Sequence, residues 1–273
     1  MWLVPGLSKV PNADIYFIAN TSNVTVHAMA RLRSSFHSVV WLDPYNGKAI
    51  KAINHHGQWS LHLPPYGSAI LLLHNGSLPA AAPRRSHQLE QQIANLNQDW
   101  RVDFPALHLQ RVLPSLVSWT ENPKTLYYSG TAIYHRNFSI SSGELRHGQI
   151  FLSFGHGKPI PKPLHPVHMG TQAWFDPPIQ VAAIVSVNGH RAGALWHPPY
   201  KLNLTTLLKP GTNHIEVRVA NTAINEMAGK SLPNYRLLWM RYGRRFTPQQ
   251  MNLVHPLPSG LLGNVTLLRR SQP

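Results

Sequence analysis

Apolar and polar residues alternate along most of the chain with the two-residue period of a β-strand. The alternation is clearest at Ile215, Val217 and Val219, which are interleaved with His, Glu and Arg. This period predicts half-buried strands, and turn signals separate one strand from the next. One such signal, Asn188-Gly189, is typical of a two-residue β-hairpin. Many short strands with few helical stretches predict an all-β protein built as a β-sandwich or jelly roll.

The pattern also divides the chain into two β-domains. Residues 1–74 are predicted to form a small antiparallel β-sandwich domain, and residues 99–273 a jelly-roll β-sandwich. Residues 75–98 have the composition of a linker and end with Leu89, Ile93 and Leu96, whose spacings of four and three predict a short helix. A second helix is predicted at TPQQ, residues 247–250, which combines a capping box with proline at the first helical position.

The composition supports a folded chain and excludes several kinds of site. Of the 273 residues, 43% are hydrophobic and eight are Trp, which is enough for a substantial core. The absence of cysteine excludes disulfides, thiolate metal sites and cysteine catalysis. No apolar run approaches the ~18 residues of a membrane span, so no membrane partner is expected. The chain shows no signal-peptide pattern, and its compartment stays open: periplasmic or extracellular if it is part of a secreted enzyme.

Net charge is the unusual property of this sequence. Its 25 Lys and Arg against 10 Asp and Glu give +15, although charged residues make up only 13% of the chain. The excess therefore results from missing acids. Nucleic-acid-binding proteins cluster their basic residues, whereas these are scattered, so nucleic acid is a disfavoured partner. A polyanionic carbohydrate such as a pectin would also be attracted by this charge.

The order of motifs in the second domain resembles a known carbohydrate-enzyme module. The motifs are LVSWT at 116–120, YYSGTAIY at 127–134, VNG at 187–189, GALWHPPY at 193–200, PGTN at 210–213 and VRVANT at 217–222. Together they resemble the galactose-binding-like jelly roll of family 2 type glycoside hydrolases. More closely, they are similar to the C-terminal region of glycoside hydrolase family 106, the α-L-rhamnosidase family.

The first domain and the tail agree with this resemblance. The first domain contributes IYFIAN at 15–20, WLDP at 41–44 and LPPYGS at 63–68, and the tail contributes NEMAG at 225–229, RYG at 241–243 and PSGLLG at 258–263. The resemblance implies that catalysis belongs to carboxylates of an upstream barrel, with a calcium ion nearby, and no position here matches them. It therefore implies no catalytic residue, no metal ligand and no cofactor in this chain, and a catalytic barrel domain as partner in cis or in trans.

The acids of the chain are a poor set for glycoside hydrolysis, which normally needs two converging carboxylates. Glu121 and Glu226, both in predicted loops, are the best candidates for a catalytic pair. A loop or capping role for each is the favoured alternative to catalysis. His156, His165 and His168 fall in or beside a proline-rich loop where they could meet a metal. Exposed loop histidines in a chain with 17 His are the favoured interpretation, so no metal site is predicted.

Aromatic and amide side chains are the better candidates for contacting sugar, because a flat ring stacks on a pyranose while amides bind its hydroxyls. The candidates are Trp174, Trp196, Tyr200, Asn221 and Asn225. For Trp196 and Trp119, a place in the core of the sandwich is the favoured alternative.

The sequence therefore predicts the non-catalytic β-sandwich portion of an α-L-rhamnosidase-like glycoside hydrolase, which supports the barrel and binds carbohydrate, a plant or bacterial polysaccharide. Two alternatives stay open: a freestanding carbohydrate-binding module, and a basic protein that binds polyanions or nucleic acid.

Overall fold

A computed structural model describes residues 3–10, 12–36, 38–43, 49–52, 54–75, 89–146, 148–161, 173–243 and 251–271. The chain divides into two compact units. Unit 1 comprises Met1–Leu89, Gly157–Asp176 and His197–Pro199, and unit 2 comprises Glu90–His156, Pro177–Trp196 and Tyr200–Pro273. Two later segments of the chain thus belong to the first unit.

Strands account for most of the regular structure, which confirms the all-β fold class. The strands are β1 (Leu3–Val10), β2 (Ala13–Asn20), β3 (Val26–Ala30), β4 (Ser38–Leu42), β5 (Ala49–Lys51), β6 (Asn54–His55), β7 (Gln58–Leu63), β8 (Ser68–His74), β9 (Glu90–Asn95), β10 (Trp100–Phe104), β11 (Leu109–Leu113), β12 (Thr131–Ile140), β13 (Gln149–Ser153), β14 (Lys158–Pro159), β15 (Phe175–Asp176), β16 (Ile179–Gln180), β17 (Ala182–Val187), β18 (His190–Leu195), β19 (Lys201–Asn203), β20 (Gly211–Ala220), β21 (Gly260–Leu261) and β22 (Thr266–Arg270). The helices are α1 (Ser142–Arg146), α2 (Ile224–Ala228) and α3 (Tyr235–Tyr242), with 3₁₀ turns at Pro105–Leu107, Trp119–Glu121 and Met251–Leu253.

Unit 1 is built on two antiparallel sheets. One has the strand order β1-β2-β8-β4-β5 and the other β3-β7-β6. Residues of both sheets share one apolar core, in which Ile18 and Leu71 come from the first sheet and Trp59 and Leu61 from the second. The unit is a small β-sandwich, because the alternation along each strand directs one set of side chains inward.

Unit 2 is a larger sandwich with a six-stranded and a four-stranded antiparallel sheet. Their strand orders are β11-β10-β12-β20-β17-β18 and β19-β13-β22-β9, and a short β16-β21 pair adds to them. Alternate residues of β12 and β20 are buried, among them Tyr134 and Val217, while the residues between them face outward. This alternation gives the six-stranded sheet one apolar face and one polar outer face.

The hairpin between β17 and β18 has the geometry that its sequence predicts. Asn188 and Gly189 both have positive φ, +52° and +82°, and Val187 pairs with His190 across the turn. Positive φ at both central residues is the property of a type I′ turn. The prediction of a two-residue hairpin is confirmed.

The short helix expected from Leu89, Ile93 and Leu96 is wrong. The segment forms strand β9, which pairs antiparallel with β22. The register shifts so that Leu267 faces Ala94 and Leu268 faces Gln92, which leaves Ile93 as the extra residue of a β-bulge. The predicted helix start at residues 247–250 lies outside the described residues.

Among the described residues, the helices α1, α2 and α3 are not predicted by the periodicity. Helix α1 follows a capping box in which Glu144 accepts from the backbone N–H of Ser141, while the Ser141 hydroxyl accepts from the N–H of Glu144. Helix α3 follows Asn234, whose side chain accepts from the N–H of Leu237. Within the described ranges, no helix has both the length and the hydropathy needed to cross a membrane.

Candidate functional site

Asn221 and Asn225 meet at the hydroxyl of Ser259. The Nδ2 atoms of the two amides lie 3.0 and 3.1 Å from Ser259 Oγ. Asn221 also donates to the carbonyl of Tyr128 and accepts from the N–H of Gly130. Asn225 donates to the carbonyl of Leu257 and accepts from the N–H of the same residue. The two amides thereby tie together segments that are far apart in sequence.

This bonding corrects the prediction that the two amides contact sugar. Asn225 is completely buried, and both amide hydrogens of half-buried Asn221 are used within the protein. A buried amide left without partners would cost ~1–3 kcal/mol, so these bonds have a structural role.

Tyr200 is also not placed to contact a sugar. Its side chain is buried, and burial raises its pKa to about 12. Its backbone carbonyl accepts from the N–H of Phe154, next to strand β13. A ring in this position cannot stack on a sugar that approaches from solvent, so Tyr200 belongs to the core.

Trp196 lies on the surface, and the expectation of a core position is wrong. Its side chain is 57% exposed, whereas the preceding Leu195 is buried and pairs with Ala183 of β17. Trp196 is the first residue after β18, in a bend of the chain. Trp119 is buried as expected. Trp196 therefore has the exposure that a sugar-stacking ring needs.

Trp174 lies in unit 1 and has a firmly held backbone. Its N–H donates to the hydroxyl of Tyr66, and its carbonyl accepts from the side chain of Asn23 and the N–H of Ile160. The side chain is half-buried. The histidines at 165 and 168 lie outside the described residues, and the part of the chain that is described contains no group of three or more acids and histidines arranged to hold a metal.

The acids can be examined as a set, because all ten are among the described residues. Glu121 caps a 3₁₀ turn by accepting from the N–H of Ser118. Glu226 is exposed and pairs at 2.8 Å with Lys230, four residues further along the chain. Both acids thus have the capping and surface roles that were the favoured alternatives to catalysis.

Two carboxylates do flank one side chain on the outer face of the six-stranded sheet. Asp103 Oδ2 lies 3.2 Å from Nε2 of His135, and Glu216 Oε2 lies 4.0 Å from Nδ1 of the same ring. Partial burial and the nearby Arg101 lower the pKa of His135, against the opposing effect of the two acids. The imidazole fills the space between the carboxylates, so no glycosidic bond fits between them.

No family model matches this chain. It is 31% identical over 136 residues to a putative beta-glucuronidase of Formosa agariphila, a match that covers 48% of this chain and 10% of that protein. The rhamnosidase from Novosphingobium sp. PP1Y superposes on 97% of this chain with a TM-score of 0.68 and 23% identity. A beta-glucuronidase from Ruminococcus gnavus covers 69% of this chain and 31% of its own length, with a TM-score of 0.40 and 17% identity.

These relatives are much longer than this chain. The chain spans 10% of the putative beta-glucuronidase and 24% of the rhamnosidase. The proteins that it is similar to are glycoside hydrolases, and the rhamnosidase has the same β-sandwich fold over nearly all of this chain.

Proposed function

We propose that the chain is the non-catalytic β-sandwich portion of an α-L-rhamnosidase-like glycoside hydrolase of family 106, which supports the catalytic domain and binds carbohydrate. The observation that carries the proposal is the unequal coverage of the rhamnosidase match: 97% of this chain against 24% of that chain. The other three quarters of such an enzyme leave room for a separate catalytic domain.

The acids of the chain support a non-catalytic role. Asp103 and Glu216, which flank His135 on two sides, are separated by its ring. Glu90 is paired with Lys201 and Arg270, and Glu121 and Glu144 cap turns. Despite the partial burial of Glu90, the bonds and charges of Lys201 and Arg270 lower the pKa of Glu90, and the hydrogen bonds from Ser141 lower the pKa of Glu144. A general acid must instead carry a proton near neutral pH.

An exposed apolar surface on helix α3 is consistent with packing against a catalytic domain. We call Leu237, Trp239, Met240 and Tyr242 the α3 surface; each side chain is more than half exposed. None of the eight residues of α3 is buried. A helix with apolar side chains on several sides is normally covered by another part of a protein. In the proposed enzyme, the catalytic domain covers this surface.

Trp196 supports the carbohydrate-binding part of the proposal. Its exposed ring belongs to the residue that directly follows β18. An aromatic side chain has only two side-chain torsions, so it loses little conformational freedom when a sugar stacks on it. The same exposure favours the second candidate function, a freestanding carbohydrate-binding module, in which no catalytic domain is required.

The test of the proposal begins with the DNA that precedes the codon for residue 1. A coding segment for a barrel is expected there, and its purified product should bind this chain in a calorimetric titration. Leu237→Asp and Trp239→Asp should each weaken that binding by about tenfold or more, since burying a charge in an apolar interface is costly.

Val112→Asp is the matched control, because Val112 is as exposed as the α3 residues but lies on strand β11. It should leave the affinity unchanged. If no barrel is encoded nearby, or if its product does not bind, the supporting role is wrong. Binding of a glycan by the chain alone would then favour the freestanding module.

A further inference from the structure

The outer face of the six-stranded sheet carries a row of polar residues that crosses five strands. In the strand registers, Arg191 of β18 faces Ser186 of β17, and Ser186 faces Glu216 of β20. Glu216 in turn faces His135 of β12, which faces Arg101 of β10. Neighbouring strands lie ~4.8 Å apart, so a ligand on this face would meet several of these side chains at once.

One end of the row opens into a groove. Its volume is about 420 Å³, and it is lined by Ile184, Ser186, Arg191, His214, Glu216 and Arg218, next to the hairpin turn at Gly189. The volume falls in the range of ~300–1,000 Å³ that is usual for sites of small ligands. The two-residue hairpin turn places Arg191 opposite Ser186, and a β-bulge at Ala192 then brings Gly193 opposite Val185.

The arginines of the groove have hydrogen-bond donors available for a ligand, whereas both carboxylate oxygens of Glu216 lie beside protein donors. Glu216 Oε1 accepts from Nε of Arg218 at 2.7 Å, and its other oxygen lies near His135. The two terminal nitrogens of Arg218 have no partner within the described part of the chain. Arg191 is exposed and, among the described residues, has neither a hydrogen bond nor an ion pair.

The remaining lining suits a sugar ring. Ile184 is 43% exposed and faces Arg218 across the β17–β20 pair, so it offers an apolar patch beside the two guanidinium groups. Ser186 lies between Arg191 and Glu216 and supplies a hydroxyl that can donate or accept. Planar guanidinium groups bind carboxylates through two parallel hydrogen bonds.

We propose that this groove binds the carboxylate of an acidic sugar, a uronic acid residue of a polysaccharide. The inference rests on the carbohydrate binding proposed above and names its substrate class. Arg191 and Arg218 bind the carboxylate, Ser186 contacts a ring hydroxyl, and Ile184 contacts the apolar side of the ring.

The experiment compares trigalacturonate with the same trisaccharide after reduction of its carboxyl groups. The wild-type chain should bind the acidic sugar and bind the reduced sugar at least about tenfold more weakly, because hydrogen bonds to charged groups are stronger than hydrogen bonds to neutral groups. Arg191→Ala and Arg218→Lys should each lose about tenfold in affinity for trigalacturonate. Arg236→Ala removes the same charge from exposed helix α3 and should have no effect. Thermal melts of all variants should coincide with the wild type.

Each other outcome has a distinct meaning. Equal binding of the acidic and reduced sugars, unchanged in Arg191→Ala, would overturn the inference while the proposed carbohydrate binding stands. Absence of binding to either sugar would overturn the inference, and the barrel titration would still test the supporting role. Binding of duplex DNA as tight as that of trigalacturonate, equally weakened by Arg236→Ala and steeply salt-dependent, would overturn it in favour of general polyanion binding.

Discussion

The indole N–H of Trp119 donates to the hydroxyl of Tyr134 at 2.6 Å inside the core of unit 2. Both side chains are buried, and burial raises the pKa of Tyr134 to about 12. The same hydroxyl also accepts from the N–H of Leu261 at 3.3 Å. Gly260 passes so close that a Cβ there would lie 2.5 Å from Trp119 Nε1 and 2.6 Å from the Tyr134 hydroxyl, and its φ is +106°. The pair therefore requires glycine at position 260.

Gly260→Ala should destabilise the protein by about 1–3 kcal/mol, because the new methyl group overpacks the Trp119–Tyr134 pair and the backbone is unfavourable for alanine. Urea unfolding followed by tryptophan fluorescence measures the change. Gly143→Ala is the control, since the nearest atom to its Cβ would be 3.8 Å away and it lies in helix α1. That variant should be neutral or slightly stabilised. Equal destabilisation by both changes would contradict the close-packing argument.

Trp196→Ala should change the free energy of unfolding by less than about 1 kcal/mol, because most of the ring is already in solvent. Trp119→Ala, which removes a buried ring together with its hydrogen bond, should cost about 3–5 kcal/mol. Both variants are measured by calorimetric melting alongside a glycan-binding assay. Trp196→Ala should lose glycan binding while keeping its melting temperature. A large drop in that temperature would show that Trp196 packs in the core and that its assignment to the surface is wrong.

Glu90 should make the stability of unit 2 depend on pH. Its carboxylate lies 2.8 Å from Lys201 Nζ and 2.6 Å from Arg270. Partial burial raises the pKa of Glu90, but the hydrogen bonds and charges of Lys201 and Arg270 outweigh burial and hold the pKa below its usual value. The resulting stabilisation is present above the unfolded-state pKa of about 4.3 and is lost as pH falls through the lower folded-state pKa.

Glu90→Gln should therefore flatten the decline of stability between neutral and acidic pH, and should cost about 1.5–3 kcal/mol at pH 7. Urea unfolding over a series of pH values measures both effects. Glu226→Gln is the control, because Glu226 forms an exposed pair with Lys230, and exposed pairs contribute little. A pH profile that is the same in Glu90→Gln and the wild type would show that another group causes the decline.

The sequence predicts strands well where buried and exposed residues alternate without interruption. Where a β-bulge interrupts this alternation, the sequence predicts the wrong element. Strand β20 keeps strict alternation through Ile215 and Val217, and it was recognised. At Ile93 the bulge inserts one residue, so an extended segment acquires helix-like spacing. Leu89, at the start of that spacing, is 93% exposed and contributes no apolar face. The bulge forms through pairing with β22, which local spacing does not reveal.

The candidate site depends even more on pairing between distant strands. Asn221 and Asn225 looked like free amides in sequence, but their partner Ser259 is more than 30 residues away. Arg191 and Glu216 are brought into one row only by the registers with β17. The capping box at Ser141 and Glu144 is a local signal for helix α1, which the apolar periodicity does not carry.

The isolated chain should not hydrolyse glycosides. Hydrolysis requires a proton donor and an opposing carboxylate on either side of the glycosidic bond, ~5–5.5 Å apart for retention or ~6.5–9.5 Å for inversion. Asp103 and Glu216, the two carboxylates that flank His135, have its imidazole between them. The net charge of +15 also favours ionised carboxylates, whereas a general acid needs a raised pKa.

Purified chain is incubated with an aryl α-L-rhamnoside and a panel of other aryl glycosides, and release of the aryl group is followed by absorbance. No turnover above the uncatalysed rate is expected. Glu121→Gln, Glu226→Gln and Glu216→Gln serve to identify any residual activity: a contaminating enzyme would leave the same activity in all three preparations. Turnover by the wild type that disappears in one of these variants would show that the chain carries its own catalytic acid and that the non-catalytic assignment is wrong.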